Sequence, residues 1–418
     1  MDGIVIVGGG ITGLTLALSL HEAGVACRVY EAAPEFKLLG VGINLLPHCV
    51  RELARLGLQP ALAARAVATR EMSFYSRHSE FIFCEPRGRF AGYEWPQFSI
   101  HRGRLHEVLV EAVRDRLGAD AIVMGHRCVG FDQDEAGVTL HFVEPASGRT
   151  LPAVSCAAAI GCDGIHSMVR RRLYPNEGPP AYQGINMWRG VTRWKPFLSG
   201  ATMVQAGWLD VGKMVIYPIS PDTDDSGRQM VDQVINWVAE IQSSRRVLPD
   251  WTLAGRVDDI LPTFADWHFP WLDVAELIRH AEVVLEYPMV DRDPLPRWTA
   301  GRVTLVGDAA HPMYPRGGNG AGQGILDARA LARCCGAAPD VRAALDAYEA
   351  ERLPAANKVV LANRTAPPDT ILKLVHERSG GRPFGDINDL VSREELAAIT
   401  DGYKVVAGFD RASLSAKS

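Results

Sequence analysis

The sequence predicts an α/β protein with a parallel sheet in a first domain and a mostly antiparallel sheet in a second. Three observations support this fold class. The first forty residues read as strand, helix and strand, two later apolar strands end in Gly-Cys-Asp and Gly-Asp, and residues 174–297 change to alternating strands rich in tryptophan. Strand–helix alternation is typical of parallel sheets, and apolar–polar alternation is typical of antiparallel ones.

The first strand ends in a glycine turn that opens directly into a helix. Gly8, Gly10 and Gly13 have the spacing of the dinucleotide fingerprint, and Glu31 follows the second strand where an acceptor for ribose hydroxyls is expected. Gly8 permits the turn, Gly10 lets a pyrophosphate approach the backbone, and Gly13 lets the helix pack on the strand. The helix N-terminus adds free N–H donors. A dinucleotide site is the favoured interpretation, and a glycine-rich buried turn is the alternative.

The next two features border this unit. In Gly40-Val41-Gly42-Ile43-Asn44, two glycines flank a valine, which indicates backbone lying flat against a ligand, with a plain mobile loop as the alternative. Arg102 and Arg104 are in the first turn of a predicted helix, at the unfavourable end of the helix dipole. An anionic partner would remove that conflict, so either arginine is a candidate phosphate contact. A solvated surface arginine is equally compatible with the local sequence.

Two later strands carry acids at their ends. The run 153–160 ends in Gly161-Cys162-Asp163-Gly164, and the run 303–306 ends in Gly307-Asp308. In open α/β sheets ligands collect at the carboxyl ends of strands. The glycine-rich loop 315–324 then opens another helix, whose N–H groups suit negative charge.

The domain organisation follows from these elements. We expect the first part of a cofactor domain at 1–173, with inserted short strands at about 61–98, and a substrate domain at 174–297. The chain returns to the first domain at 298–365, and 366–418 form a polar, weakly patterned tail. The many tryptophans of the second domain, Trp251 among them, indicate either a core or a pocket for a flat aromatic ligand, and both interpretations stay open.

Composition excludes several classes of protein. The 418 residues are 47% hydrophobic with a net charge of −5, and no basic block favours nucleic acid or a membrane surface. No signal peptide or transmembrane segment is expected. The eight cysteines have no metal-binding spacing and are typical of reduced thiols in a cytoplasmic protein. We expect no metal, and a monomer or a homodimer.

Taken in order, the Gly8–Gly13 turn with Glu31, Asp163-Gly164 and Gly307-Asp308 resemble the class A flavoprotein monooxygenases, the single-component FAD-dependent aromatic hydroxylases. The resemblance covers roughly residues 3–365. It is strongest to the phenazine-carboxylate hydroxylases, and more distant to the salicylate hydroxylases. The stretches that carry it are 40–44, 99–103, 187–192, 287–294 and 313–315.

The resemblance implies a para-hydroxybenzoate-hydroxylase-like fold with C-terminal helices. It implies non-covalent FAD, NAD(P)H as a co-substrate without its own domain, and molecular oxygen. A planar aromatic, phenazine-like or otherwise bicyclic or polycyclic, would be hydroxylated through a flavin C4a-hydroperoxide. The alternatives are an FAD-dependent oxidase or dehydrogenase without oxygen transfer, and a non-catalytic FAD-binding protein. The cofactor-binding residues it implies are Gly8, Gly10, Ile11, Thr12, Gly13, Glu31, Gly42, Ile43, Arg102, Val129, Asp163, Asp308, Gly320 and Ala321.

The substrate pocket is predicted between the flavin and the tryptophan-rich sheet, and no catalytic side chain is assigned. Arg189 is the candidate anchor for a substrate carboxylate. The alternative is that Trp188 belongs to the core and Arg189 pairs with an acid inside the sheet. The predicted pocket residues are Trp188, Arg189, Met203, Tyr217, Tyr287 and Pro315.

Overall fold

The computed structural model describes residues 3–37, 40–221, 231–243 and 253–415, so that Trp251 lies outside the described residues. The strands are β1 (Ile4–Val7), β2 (Cys27–Tyr30), β3 (Gly42–Leu45), β4 (Val67–Ala68), β5 (Glu71–Tyr75), β6 (Phe81–Pro86), β7 (Phe98–His101), β8 (Ile122–Val123), β9 (Arg127–Gln133), β10 (Val138–Val143), β11 (Val154–Cys156), β12 (Ala158–Gly161), β13 (Ala181–Trp194), β14 (Thr202–Trp208), β15 (Gly212–Pro218), β16 (Gln233–Gln242), β17 (His268–Phe269), β18 (Leu272–Asp273), β19 (Val283–Asp291) and β20 (Val303–Leu305). The helices are α1 (Ile11–Glu22), α2 (Pro47–Arg55), α3 (Gln59–Ala63), α4 (Arg102–Leu117), α5 (Met168–Leu173), α6 (Leu261–Phe264), α7 (Val274–Arg279), α8 (Gly320–Ala337), α9 (Val341–Thr365), α10 (Thr370–Ser379), α11 (Arg393–Ala407) and α12 (Arg411–Ser415).

A five-stranded parallel sheet forms the centre of the first domain, in the order β20-β12-β1-β2-β8. Every residue of β1 and β12 is buried, because both faces of the sheet are covered, and this explains their continuous apolar sequence. Parallel strands place their carboxyl ends at one edge. The glycine turn after β1, Glu31 after β2, Asp163 after β12 and Asp308 after β20 therefore come to the same edge of the sheet.

The second sheet has seven strands in the order β19-β13-β16-β15-β14-β5-β6, and only the β14–β5 pair is parallel. The predicted α/β fold with a mostly antiparallel second sheet is thereby confirmed. Strands β5 and β6 come from the stretch expected as an insertion in the first domain. They join the second sheet because Phe74, Ile82 and Phe83 pack into its apolar cluster. The domain boundaries stay a prediction.

The described part of the C-terminal segment, whose sequence is weakly patterned, is helical and packed, as the expected C-terminal helices require. Ile371, Leu372 and Val375 of α10 pack against the seven-stranded sheet. Tyr403 of α11 and Phe409 form a further apolar cluster with Val359 of α9 and with Leu46, which follows β3. Within the described ranges, no helix has the length and apolar character needed to cross a membrane.

Candidate active site

The glycine turn after β1 has the geometry that the fingerprint predicts. Gly8 has a φ of +109°, which favours glycine. A Cβ on Gly13 would collide with the carbonyl oxygen of Gly8, so α1 packs on β1 only because Gly13 has no side chain. A Cβ on Gly10 would meet no protein atom within 4 Å. The turn is therefore closely packed at Gly8 and Gly13, and it leaves open space at Gly10, where α1 begins.

Glu31 and Val129 lie outside the main cavity. The Glu31 carboxylate accepts hydrogen bonds from the backbone N–H groups of Gly9 and Ala33, each at 2.7 Å. It braces the glycine turn, and its half-buried position leaves it accessible to a ligand that lies along the turn. Val129 on β9 is 49% exposed. The structure does not bring Val129 to the cavity that collects most of the other predicted residues.

Asp163 connects β12 to α5. Its Oδ2 accepts hydrogen bonds from the N–H groups of Met168, at 2.7 Å, and Val169, at 3.3 Å. Its Oδ1 is buried and has no hydrogen-bond partner among the described residues. Burial raises the pKa of this carboxyl above its ordinary value, although the hydrogen bonds oppose the shift. One oxygen thus holds the loop, and the other is available to a ligand.

Asp308 projects from the end of β20 into the cavity, where Arg102 at the start of α4 also lies. The surrounding protein desolvates the Asp308 carboxyl and raises its pKa, while His311 and Arg102 oppose the shift. A Cβ on Gly320 would lie 3.8 Å from Asp308 Oδ1, which places this acid beside the first turn of α8. An acid and an arginine therefore face the cavity next to a helix N-terminus.

A buried ionic group fixes the turn that carries Asp308. His311 forms a hydrogen bond with Asp327, and Arg352 donates to the same carboxylate at 2.7 Å. Asp327 also accepts from the Gly307 N–H at 3.1 Å. The neighbouring cations lower the pKa of Asp327 to about 2, against the effect of burial. Sequence reasoning missed Asp327 and Arg352, because each is an ordinary charged residue of a long helix.

The N-terminus of α8 forms another part of the cavity, lined by Gly320 and Ala321. Asn319 precedes the helix, and its Oδ1 lies 3.0 Å from Nε2 of the buried His48. Burial lowers the pKa of His48 to about 3, so the ring is neutral at ordinary pH. Asn319 Nδ2 is buried without a partner among the described residues. Because the N–H groups of a first helical turn have no partner within the helix, the N-terminus of this eighteen-residue helix offers free donors and partial positive charge to the cavity.

The loop Gly40–Asn44 links the two sheets. The Gly42 N–H donates to Asn236 Oδ1 at 2.6 Å, and the Gly42 carbonyl accepts from Arg189 Nη2 at 2.7 Å. A Cβ on Gly42 would lie only 2.7 Å from the Asn236 Cβ, so glycine is required for this close approach. Gly42 and Ile43 line the cavity beside Arg189. Arg189 thus holds the loop, and among the described residues it has no hydrogen-bonded acid partner.

The glycine turn at Gly10, Arg102, Asp163, Asp308 and the N-terminus of α8 together form what we call the cofactor cradle. One cavity of about 1030 Å³ lies between this cradle and the seven-stranded sheet. Its size is at the upper end of the ~300–1,000 Å³ typical of ligand sites, which suits a cofactor together with a substrate. The predicted residues that line it are Gly10, Ile11, Thr12, Gly42, Ile43, Arg102, Asp163, Arg189, Met203, Tyr217, Tyr287, Asp308, Pro315, Gly320 and Ala321. The fingerprint glycines Gly8 and Gly13 support the cavity from behind.

Trp188 does not line the cavity, and this prediction was wrong. It is 5% exposed and belongs to the apolar cluster on the other face of the sheet, with Trp237 and Phe264. Successive strand residues point to opposite faces, so Met187 and Arg189 face the cavity and Trp188 cannot. The tryptophan-rich composition is thus chiefly a core signal.

Several polar residues of the cavity wall escaped sequence reasoning. They come from β6 and the segment that follows it, from β14, β15 and β16, and from α11, and no single stretch of the chain contains more than a few of them. The register of the strands is what brings them together. They are Glu85, Arg87, Gln97, Gln205, Lys213, Glu240 and Lys404.

The residues at the edge of the parallel sheet fit FAD. The open backbone at Gly10 suits a pyrophosphate, and the α8 N-terminus suits the electron-rich end of a flavin. The unpartnered Asp163 Oδ1 and Asn319 Nδ2 are further polar atoms that a bound cofactor could satisfy. In the described part of the chain, no three His, Cys, Asp or Glu side chains gather where they could hold a metal ion.

Comparison with known proteins agrees with this geometry. The sequence model of the FAD binding domain family matches residues 2–191 and 289–363. The chain is also 42% identical, over 96% of both chains, to the phenazine 1,6-dicarboxylic acid hydroxylase PhzS of Lysobacter antibioticus. The chain belongs to the class A flavin-dependent hydroxylases. The predicted family and cofactor are confirmed, and the protein is an FAD-dependent monooxygenase.

Other similar proteins extend the comparison. The 6-hydroxynicotinate 3-monooxygenase of Pseudomonas fluorescens is 32% identical, over 85% of this hydroxylase and 89% of that protein. A salicylate hydroxylase substrate complex has the same fold, with a TM-score of 0.73 and 23% identity over 98% of this chain and 96% of that one. A Klebsiella pneumoniae HpxO structure with FAD and uric acid gives a TM-score of 0.74 at 22% identity, covering 99% and 97% of the two chains.

Proposed function

We propose that this hydroxylase acts on a planar, polycyclic aromatic carboxylate of the phenazine type. The observation that carries the proposal is the face of the seven-stranded sheet opposite the cofactor cradle, which we call the substrate wall. Its floor is flat and apolar, made by Met187, Val215, Val238 and Tyr287, and cationic side chains stand around it. An apolar floor suits an aromatic ring, and the cations suit its carboxylate. The 42% identical relative is a phenazine 1,6-dicarboxylic acid hydroxylase, which supports the same substrate class.

The cofactor cradle has the task of holding FAD without a covalent bond. We assign Arg102 to the phosphates and Asp308 to the ribityl hydroxyls. The first turn of α8, at Gly320 and Ala321, would lie against the pyrimidine edge of the flavin, where reduction places negative charge. When bound, FAD reduced by NAD(P)H reacts with molecular oxygen and supplies the oxygen atom for hydroxylation. Glu31 and Val129 are proposed to contact the adenosine end, outside the main cavity.

The substrate wall has the task of holding the ring close to the flavin and excluding water. Arg189 is proposed to bind a substrate carboxylate. It also donates to the Gly42 carbonyl at 2.7 Å, so the same side chain connects the substrate wall to the loop beside the cofactor. Burial raises the pKa of the Tyr217 hydroxyl, and Arg189 opposes the shift, so this hydroxyl is a neutral donor or acceptor in the cavity.

A substrate screen tests the proposal. The FAD-loaded enzyme is assayed for NADH oxidation with salicylate, a quinoline carboxylate, phenazine-1-carboxylate and phenazine-1,6-dicarboxylate. The masses of the products are measured by mass spectrometry. The phenazine acids are expected to stimulate oxidation most and to gain oxygen. Stimulation by the single-ring acid alone would contradict the proposed substrate class.

The Arg189→Met variant tests the anchor. Loss of a charged hydrogen bond worth ~1.5–3 kcal/mol should raise the KM for an acidic phenazine about tenfold or more. Because Arg189 also holds Gly42, a small loss of FAD affinity is expected in addition. Lys195→Met is the matched control, since Lys195 is exposed just beyond the end of the same strand. An unchanged KM for acidic phenazines would leave Arg189 with only its contact to the loop.

We further propose that the protein works in the cytoplasm as a monomer or a homodimer. All eight cysteines are free thiols, which suits a reducing compartment. Size-exclusion chromatography with light scattering would distinguish a monomer or dimer from larger assemblies, which would contradict the proposal.

A further inference from the structure

A second group of polar side chains lines the cavity at the β5–β6 side of the sheet, away from Arg189. Arg87, Gln97 and Gln205 are 7%, 2% and 4% exposed. All three border the same cavity as the cofactor cradle. Strand pairing brings Gln205 on β14 and Arg87, just after β6, to one side of the cavity, because β14 lies beside β5 and β5 lies beside β6. Gln97, just before β7, reaches the same place because its backbone packs against Gly88.

The hydrogen-bonding groups of these side chains are poorly satisfied. Arg87 Nε, Gln97 Oε1 and Gln205 Oε1 are buried and have no partner among the described residues. Arg87 Nη2 and Gln205 Nε2 both donate to the Met72 sulfur, each at 3.4 Å. A thioether is a weak acceptor. Arg87 Nη2 also forms an ion pair with the buried carboxylate of Glu85. One donor, Arg87 Nε, and two acceptors, the amide oxygens of Gln97 and Gln205, therefore lack partners in the described part of the protein, which is unfavourable unless a ligand supplies them.

The charges on the substrate wall also favour an anionic ligand. Between the two ends, Lys213 and Arg316 are balanced by Glu240 and Asp369. At the Arg87 end, two cations, Arg87 and Lys404, share the buried carboxylate of Glu85. Lys404 has a second partner in Asp401, but that side chain is 68% exposed, so solvent screens it.

At the other end, Arg189 has no ion-paired carboxylate among the described residues. Each end of the wall thus has one more buried or half-buried cation than it has buried carboxylates. This pattern is complementary to a ligand with one negative charge at each end.

The two ends are too far apart for a single ring to span. Arg189 is on β13 and Met72 is on β5, with β16, β15 and β14 between them. Four strand spacings of ~4.8 Å place the two positions about 19 Å apart at the backbone, and the side chains reach inwards from there. Val238 and Val215 of the apolar floor lie in register between Arg189 and Gln205. The distance suits an elongated, fused-ring ligand.

We propose that Arg87, with Gln97 and Gln205, forms a second carboxylate subsite, so that the enzyme selects planar fused-ring aromatics with a carboxylate at each end. The inference rests on the proposed function and assigns a binding site to the second carboxylate of that substrate. The carboxylate accepts from the guanidinium of Arg87. A half-turn of either glutamine amide presents its N–H₂ group to the ligand, because the terminal amide torsion is two-fold and broad.

Paired substrates and variants test the subsite. The FAD-loaded wild type, Arg87→Met and Arg89→Met are compared on phenazine-1,6-dicarboxylate and phenazine-1-carboxylate by substrate-stimulated NADH oxidation. Arg87→Met should raise the KM for the dicarboxylate about tenfold or more, as expected for a lost charged hydrogen bond, and change that for the monocarboxylate far less. Arg89 is exposed two residues away, so its variant should change neither KM.

Further outcomes separate the subsite from the proposed function. If Arg87→Met loses its flavin, Gln205→Leu and Gln97→Leu are measured instead, and each should weaken the dicarboxylate selectively. Equal effects on both phenazines, or none in any variant, would overturn the subsite while the substrate class stands. A wild type that neither phenazine stimulates would instead overturn the proposed function.

Discussion

The cofactor cradle and the substrate wall of this hydroxylase face each other across one cavity, but they are built from different parts of the polypeptide. The cradle is mainly backbone at the carboxyl edge of the parallel sheet: a glycine turn, a helix N-terminus and two strand-end acids. The wall is mainly side chains, which the register of seven strands brings together from residues as distant as Met72 and Glu240, with Lys404 added by α11.

The difference decides how each region tolerates substitution. Backbone donors cannot be deleted by changing their own side chain, so the cradle is vulnerable where an added atom obstructs the backbone. The wall is vulnerable where a polar or apolar group is removed. Substitutions in the cradle should therefore change folding or FAD affinity, and those in the wall should change the KM for substrate.

The largest effect is expected from the two fingerprint glycines, which differ in what a methyl group would meet. In Gly13→Ala the methyl group collides with the Gly8 carbonyl, and the flavin-free protein should lose about 3 kcal/mol or more of unfolding free energy. In Gly10→Ala it meets no protein atom within 4 Å, so stability should be retained while FAD affinity falls. Urea unfolding of the flavin-free protein and fluorescence titration with FAD measure both. Equal stability losses would contradict the assigned geometry.

An intermediate effect is expected from the two strand-end acids. Asp308→Ala should raise the Kd for FAD about tenfold or more, because it removes charge-assisted hydrogen bonds of ~1.5–3 kcal/mol to the ribityl hydroxyls. Asp163→Ala should raise the Kd less and lower stability by about 1 kcal/mol, since Asp163 Oδ2 holds the N-terminus of α5. Equilibrium titration and thermal unfolding separate the two. A larger Kd increase in Asp163→Ala would reverse the assignment.

The smallest effect is expected from neighbours on β13 that face opposite sides. Met187→Ala should raise the KM for an aromatic substrate severalfold, because it removes apolar contact from the cavity floor. Trp188→Phe should leave that KM unchanged and reduce stability by about 1–2 kcal/mol, because Trp188 packs in the core behind the sheet. Steady-state kinetics and urea unfolding give both values. A KM change in Trp188→Phe would restore Trp188 to the pocket.

The same contrast explains what the sequence could predict. Gly10, Asp163 and Asp308 were identifiable because each follows a strand within a few residues, so local order specifies their place. Gln205 and Arg87 were not, because only the pairing of β14 with β5 and of β5 with β6 brings them to one cavity. Trp188 was misplaced because composition does not reveal which face of a strand a residue occupies. The C-terminal helices had a usable signal in the apolar spacing of Leu396 and Tyr403.

The most direct test of the account combines isotopic oxygen with product analysis. The FAD-loaded enzyme is given NADH, phenazine-1,6-dicarboxylate and ¹⁸O₂, and the aromatic product and hydrogen peroxide are measured together. We expect an aromatic product that contains one oxygen atom from ¹⁸O₂ for each NADH consumed, with little peroxide. Consumption of NADH with peroxide as the only oxygen product, and no label in any aromatic compound, would contradict it and identify an oxidase instead.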